Sequence, residues 1–492
     1  MDLAELQRST MPGLYKKRER TWNPLTPQLL VETIKTWTLN NLPLINALAF
    51  KGDLPYWEMA ALLNQTVLHH APQPESLPQT ETKQMLMSLS FIGSSVERHA
   101  QQQFVKQDFG PDIPDYARRA ARITPGKGLS ALWVHQTTPF IAYFKQLADQ
   151  IGHPYRDTVM SLVEYNGPDV EVRHPLTNEP IYRLRGGVGD QRFLTFSGNI
   201  SEINFFSLVK ETMALQLAAN LYLEQLQQPS TRLDSPEALE AATTTAHLMW
   251  AIKAQMLHFM QHKTFEADFF LDVFRQYQCL WYPGQYLKPP SGANDPAPLQ
   301  RDLILFDNLV EPGDNFPGFR GHVQEICSVL MPEQRLQMQL AMAQPSLEAR
   351  LLGQLGLSRA ALARLDSGGL SAVTRQHPWL LLYWQLYNAQ RDLSHTHYAL
   401  VLKYITRPKQ EREMQTDRRE YVTVVNNARG TTGMDPLGIM VRLDQARAQH
   451  PLARLNENNE VKRLAKSYLP SLGFKRLTHE QLLALSNFSQ VG

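Results

Sequence analysis

Apolar residues recur along most of this chain every three or four positions. Phe206, Val209, Met213, Leu217 and Leu221 mark one such stripe. At 3.6 residues per turn these positions share one side of a helix, which must then be buried. The same period runs through PWLLLYWQLYNAQRDLSHTHYALVLKYITRP, from Pro378 to Pro408, a segment long enough for several turns and bounded by proline at both ends. Within it Leu386, Ala389, Leu393, His397, Leu400 and Tyr404 fall on one stripe, so His397 is expected to face the interior and His395 another side. Val170 to Leu184, VEVRHPLTNEPIYRL, instead alternates β-branched and aromatic residues about a Pro-Leu-Thr-Asn turn, which predicts a β-hairpin. Proline-rich Ala71 to Lys83 and Pro283 to Gln300, together with Arg407 to Gly433, read as irregular connections. The fold class expected is all-α with one β-hairpin, and no internal repeat suggests a stacked scaffold.

Composition narrows the function. The 492 residues are 43% hydrophobic and 20% charged, ordinary for a folded chain able to bury a sizeable core. Forty-nine basic residues against 47 acidic leave a formal charge of +2, too little to attract a nucleic-acid backbone or an acidic membrane. Cys279 and Cys327 are the two cysteines; without CxxC or CxxCH they support neither a disulfide framework, a thiolate zinc site nor c-type haem attachment. The N-terminal segment lacks an apolar stretch of signal-peptide length, and no run is long enough to span a bilayer, so a cytoplasmic location is expected.

His397 has two readings on spacing alone: a core histidine hydrogen-bonded to a carbonyl, or an axial haem ligand fixed on a rigid apolar helix. LSHTHYALVLKYI resembles the proximal helix of the indoleamine 2,3-dioxygenase family. The resemblance implies His397 as iron ligand and b-type haem as cofactor. Three further segments resemble that family in order, over about 240 residues. FSGNISEINFF, from Phe196 to Phe206, places Ser201 at the family's distal serine, facing cofactor and substrate, although the aromatic pair comes one residue later. FFLDVFR, from Phe269 to Arg275, supplies an aromatic wall for an indole ring and Arg275 as anchor for the substrate carboxylate; one extra residue leaves Phe269 and Phe270 interchangeable. RGTTGMD, from Arg429 to Asp435, resembles the loop that closes over the substrate, with Thr431 at the substrate amine and Gly430 beside the cofactor.

What the resemblance implies is a helical haem domain over residues 136–435, a smaller N-terminal helical unit over 1–135 covering the distal side, and a C-terminal helical extension over 436–492. The reaction implied is insertion of oxygen from O2 into the ring of tryptophan or a derivative, without a distal histidine base. Two alternatives stay open. One is the rearrangement or hydroxylation of an aromatic amino acid in secondary metabolism, as in the monodechloroaminopyrrolnitrin synthase type. The other is a non-catalytic helical haem-binding or interaction protein. The chain departs from the family where a glycine- and serine-rich stretch is expected and NFPGFRGH, from Asn315 to His322, stands instead. His258 and His262 lack the acidic partner of an HExxH zinc site, and neither GGVGD (186–190) nor PGKG (125–128) has the context of a phosphate cradle. Oligomeric state is left open.

Overall fold

The computed structural model describes residues 15–18, 21–109, 126–279, 281, 290, 292–306, 318–414 and 450–488. Its elements begin with a hairpin, β1 (Tyr15–Arg18) and β2 (Thr21–Pro24). Four helices follow, α1 (Pro27–Lys51), α2 (Tyr56–Thr66), α3 (Gln79–Phe109) and α4 (Phe140–Ile151), then strands β3 (Val170–Arg173) and β4 (Pro180–Leu184). Next come the long helices α5 (Ile200–Gln227) and α6 (Pro236–His262), and the shorter α7 (Ala267–Asp272) and α8 (Pro296–Leu305). Finally α9 (Leu380–Val401), α10 (Asn459–Ser471) and strand β5 (Ser486–Phe488) complete the frame.

Several prolines start helices rather than loops. Pro27, Pro236 and Pro296 each sit in a first turn behind a Thr26, Ser235 or Asp295 cap, where the missing N–H costs nothing and the fixed φ is already helical. The stretch 283–300, expected as a connection, therefore contains the start of α8. Likewise the α9 rod does not stop at Pro408: it continues through a π-turn, Leu402–Thr406, into the helix Arg407–Met414. The expectation of an irregular stretch from Arg407 is thus corrected as far as Met414, with residues 415–433 outside the described residues.

One hydrophobic cluster runs from Val31 to Leu485, so the elements of all three expected units share a core. At its centre lies α3, in which every residue from Met85 to Gln102 is buried. Helices α5 and α6 form an antiparallel pair, with Phe205 against Phe265 at one end and Leu208 packed with Phe259 next to it. Along α6 and α9, Lys253 pairs with Asp392 at 3.1 Å and Lys403 donates to the Met260 carbonyl at 2.7 Å. Both partners advance together, so these two helices run parallel. The α5 stripe is only partly as expected: Phe206 and Met213 are buried, but Leu221 is 46% exposed. Helix α5 is covered from several sides at once, and the stripe drifts toward the least covered.

The hairpin expected at Val170–Leu184 forms, as β3 and β4, with an irregularity between Val172 and Arg173. A third strand not foreseen, β5, pairs antiparallel along the other edge of β3, Val170 opposite Phe488 and Val172 opposite Ser486. No helix among the described residues is long and apolar enough to cross a membrane.

Candidate functional site

The α9 stripe holds for its buried apolar members but not for His397. Leu386, Ala389, Leu393 and Tyr404 are buried, whereas His397 is exposed, as is His395. The expectation that His397 faces the interior is therefore corrected. The main core ends on this helix at Leu393, and a separate small cluster of Leu208, Phe259 and Tyr404, flanked by Leu400, Met256 and Phe265, begins beyond it. His397 falls in the gap between the two apolar clusters.

Of the other sequence-selected residues, Ser201, Phe269, Phe270 and Arg275 lie among the described residues. Ser201 is fully buried in the first turn of α5, and its Oγ accepts from the Glu266 N–H at 3.1 Å, fixing the turn that leads into α7. Phe205 follows on α5, with ring centroids 5.3 Å from Phe270 and 5.2 Å from Phe274; Phe270 and Phe274 are themselves stacked at 5.7 Å. Phe206 also meets Phe274, at 5.5 Å, so the two neighbouring phenylalanines both pack on one ring. Phe269 is half-buried against the main core. Arg275 stands in the single turn Phe274–Tyr277, 5% exposed, and burial holds its guanidinium down at about 10. Phe265 links this group to the α9 rod, edge-on to Tyr404 at 4.8 Å. Tyr404 lies seven residues beyond His397, about 10 Å along a helix axis. Thr431 and Gly430 lie outside the described residues.

Sequence reasoning missed the polar groups of α3. Asn46 on α1 donates through Nδ2 to Ser95 Oγ at 2.9 Å and to the Phe196 carbonyl at 2.7 Å, while its Oδ1 meets His99 Nε2 at 3.2 Å. Arg98 Nη1 reaches His99 Nδ1 at 3.1 Å. A guanidinium only donates, so Nδ1 is the acceptor and the His99 proton sits on Nε2, facing Asn46. The Phe196 peptide is held at its other end too, because its N–H donates to Glu202 Oε1 at 2.6 Å, while Ser197 N–H and Oγ–H donate to Oε2 at 3.0 and 2.6 Å. Burial nevertheless lifts the Glu202 carboxyl to about 7. Thus the segment entering α5, where the family resemblance places its distal serine, is clamped by Asn46 and Glu202.

The two glycine-rich stretches also receive physical explanations. Gly126, Gly128 and Leu129 N–H groups do surround an anion, but it is the chain's own Glu97, at 2.7, 3.0 and 3.2 Å. Gly186 N–H donates to Asp169 at 2.8 Å. In the departing stretch, Gly318 opens a helix, Gly318–Ile326, that buries Phe319 and His322. The His258 and His262 rings lie 4.9 Å apart, yet among the described residues no three His, Cys, Asp or Glu side chains form a metal-holding group. A cavity of about 20 Å³ lies farther back on α9, between Leu386, Gln390, Tyr383 and His450. That is room for about one water and not for an amino acid. No protein-family model matches the sequence, and no curated protein is detectably similar to it.

Proposed function

We propose that this chain is a haem-dependent oxygenase that acts with O2 on an aromatic amino acid, an indole-bearing one first among them. The family resemblance supplies the reaction class. The observation that supports it most is packing: Phe205, four residues past Ser201, meets Phe270 and Phe274 of the Arg275 turn in one aromatic group that touches Tyr404, beyond His397, through Phe265.

His397 is exposed on the helix between Leu393 of the main core and Leu400 beside the second cluster, and its imidazole would be the group to hold the haem iron. Haem, when bound there, supplies the iron that activates dioxygen. The remaining tasks belong to the chain. Arg275, at about 10, stays charged at neutral pH and can hold a carboxylate through two parallel hydrogen bonds. Phe269 and Phe270 present flat apolar surface to an aromatic ring. Ser201 acts as a positioning residue, holding Glu266 and through it the approach to Phe270. Thr431 and Gly430 complete the proposal as the loop that receives the substrate amine.

Optical spectra of protein expressed with a haem precursor test this reading. Wild type and His395→Ala show a histidine-ligated haem spectrum in ferric, ferrous and ferrous-CO forms, and His397→Ala loses or alters it. A colourless wild-type protein that refuses haem overturns the assignment.

A further inference from the structure

Arg98, at the middle of α3, is 1% exposed, yet among the described residues no carboxylate faces it. Its neighbour Glu97 turns the other way, onto the Gly126 to Leu129 backbone, and the buried Asp157 is paired with Arg156 at 2.7 Å. Only Nη1 of Arg98 is used, toward His99 and toward Gln102 Oε1 at 2.6 Å. Among the described residues, Nε and Nη2 are buried without a hydrogen-bond partner.

Those two nitrogens form one edge of the guanidinium, the side-on fork that meets a carboxylate with two parallel N–H donors. The faces of the guanidinium are covered by Phe50 and Tyr277, each 4.9 Å from its carbon, and Phe196 stacks on Tyr277 at 4.2 Å. A buried cation that cannot lose its proton, with its fork unused, calls for an anion. The positive charge is single and the His99 imidazole beside it is neutral, which favours a monoanion. Aromatic walls favour a flat one. Phe50 is half-buried at the end of α1, so the wall over this face of the guanidinium reaches the surface.

We infer that the Nε/Nη2 edge of Arg98, between Phe50 and Tyr277, is a binding site for the carboxylate of a small aromatic acid. The fork belongs to Arg98 and not to Arg275, although Tyr277 stands in the same turn as Arg275, and the inference does not depend on the haem reading: His397→Ala responds to the ligand as wild type does.

The test is thermal unfolding of the full chain with sodium benzoate, against neutral benzamide, inorganic phosphate and sodium chloride at matched ionic strength. Benzoate raises the midpoint in a saturable way and benzamide and chloride do not. Arg98→Met, which replaces the buried charge by apolar volume, abolishes the benzoate response. Arg98→Lys keeps a point charge without the fork and needs about tenfold more benzoate; it carries the comparison where the Met variant does not fold. A wild-type midpoint no more sensitive to benzoate than to chloride overturns the inference, as does an Arg98→Lys response equal to wild type. A response to phosphate but not to benzoate overturns the carboxylate assignment.

Discussion

Glu202→Gln separates the cost of a buried charge from the worth of its hydrogen bonds. Glu202 is 1% exposed, and its carboxyl rises from an ordinary 4.5 to about 7 chiefly through burial, against three hydrogen bonds that pull it down. A folded-state value above the unfolded one means that the folded protein holds the proton more tightly. The associated stability is fully present below 4.5 and is lost as pH rises through about 7. At about 1.4 kcal/mol per tenfold change in proton affinity, the loss is on the order of 3 kcal/mol. Gln has no proton to release. In acid, the protonated carboxyl and the amide each keep one carbonyl oxygen as acceptor and carry hydrogen on the other atom, one on the carboxyl and two on the amide, so the variant falls within about 1 kcal/mol of wild type. By about pH 8 the difference has moved in the variant's favour by on the order of 3 kcal/mol. Urea unfolding followed by tryptophan fluorescence at a series of pH values measures this, with equal m-values as the check that both proteins unfold alike. Glu97 and Glu211, also raised to about 7 by burial, are common to both proteins and cancel. A difference that stays constant within about 0.5 kcal/mol across the range refutes the reasoning.

Two further substitutions probe the same region. Asn46→Ala strands Ser95, His99 and the Phe196 carbonyl at once and lowers stability by about 3 kcal/mol in the same urea assay; a loss under about 1 kcal/mol would show these bonds to be dispensable. Gly128→Ala places a Cβ 2.8 Å from the Glu97 Cα and from the Val96 carbonyl oxygen, backbone atoms that yield only if α3 moves. A loss of about 1–3 kcal/mol is expected, read as a lower thermal midpoint, and an unchanged midpoint means that the two segments separate freely.

The helical class and the Val170–Leu184 hairpin were legible because each depends on local periodicity. The α9 stripe gave the buried Leu386, Ala389, Leu393 and Tyr404 but not the exposure of His397, which is decided by where two separate clusters end. Strand β5 was not legible, since its pairing depends on a distant edge and not on its three residues. The buried polar groups of α3 left one sequence trace. From Met85 to Gln102 the only charged residues are the adjacent Glu97 and Arg98, and a helix with so little charge has no side suited to water. Periodicity searches for a polar side and an apolar side, and this helix has neither. Asn46 and Glu202 left no trace, because their partners lie on other elements.

The pairing of β3 with β5 also bears on how the chain acquires its structure. Val170 meets Phe488 across about three hundred intervening residues, so this ladder is among the slowest contacts to close. Until it forms, β3 presents a bare edge with two fully buried valines, Val170 and Val172, behind it. Such an edge is open to pairing with another chain. Helices α5 and α6 can dock early through their short connection, but the sheet beside them waits for the far end of the sequence. Refolding yield is therefore governed by protein concentration at this one strand, more than by the helices that make up most of the fold.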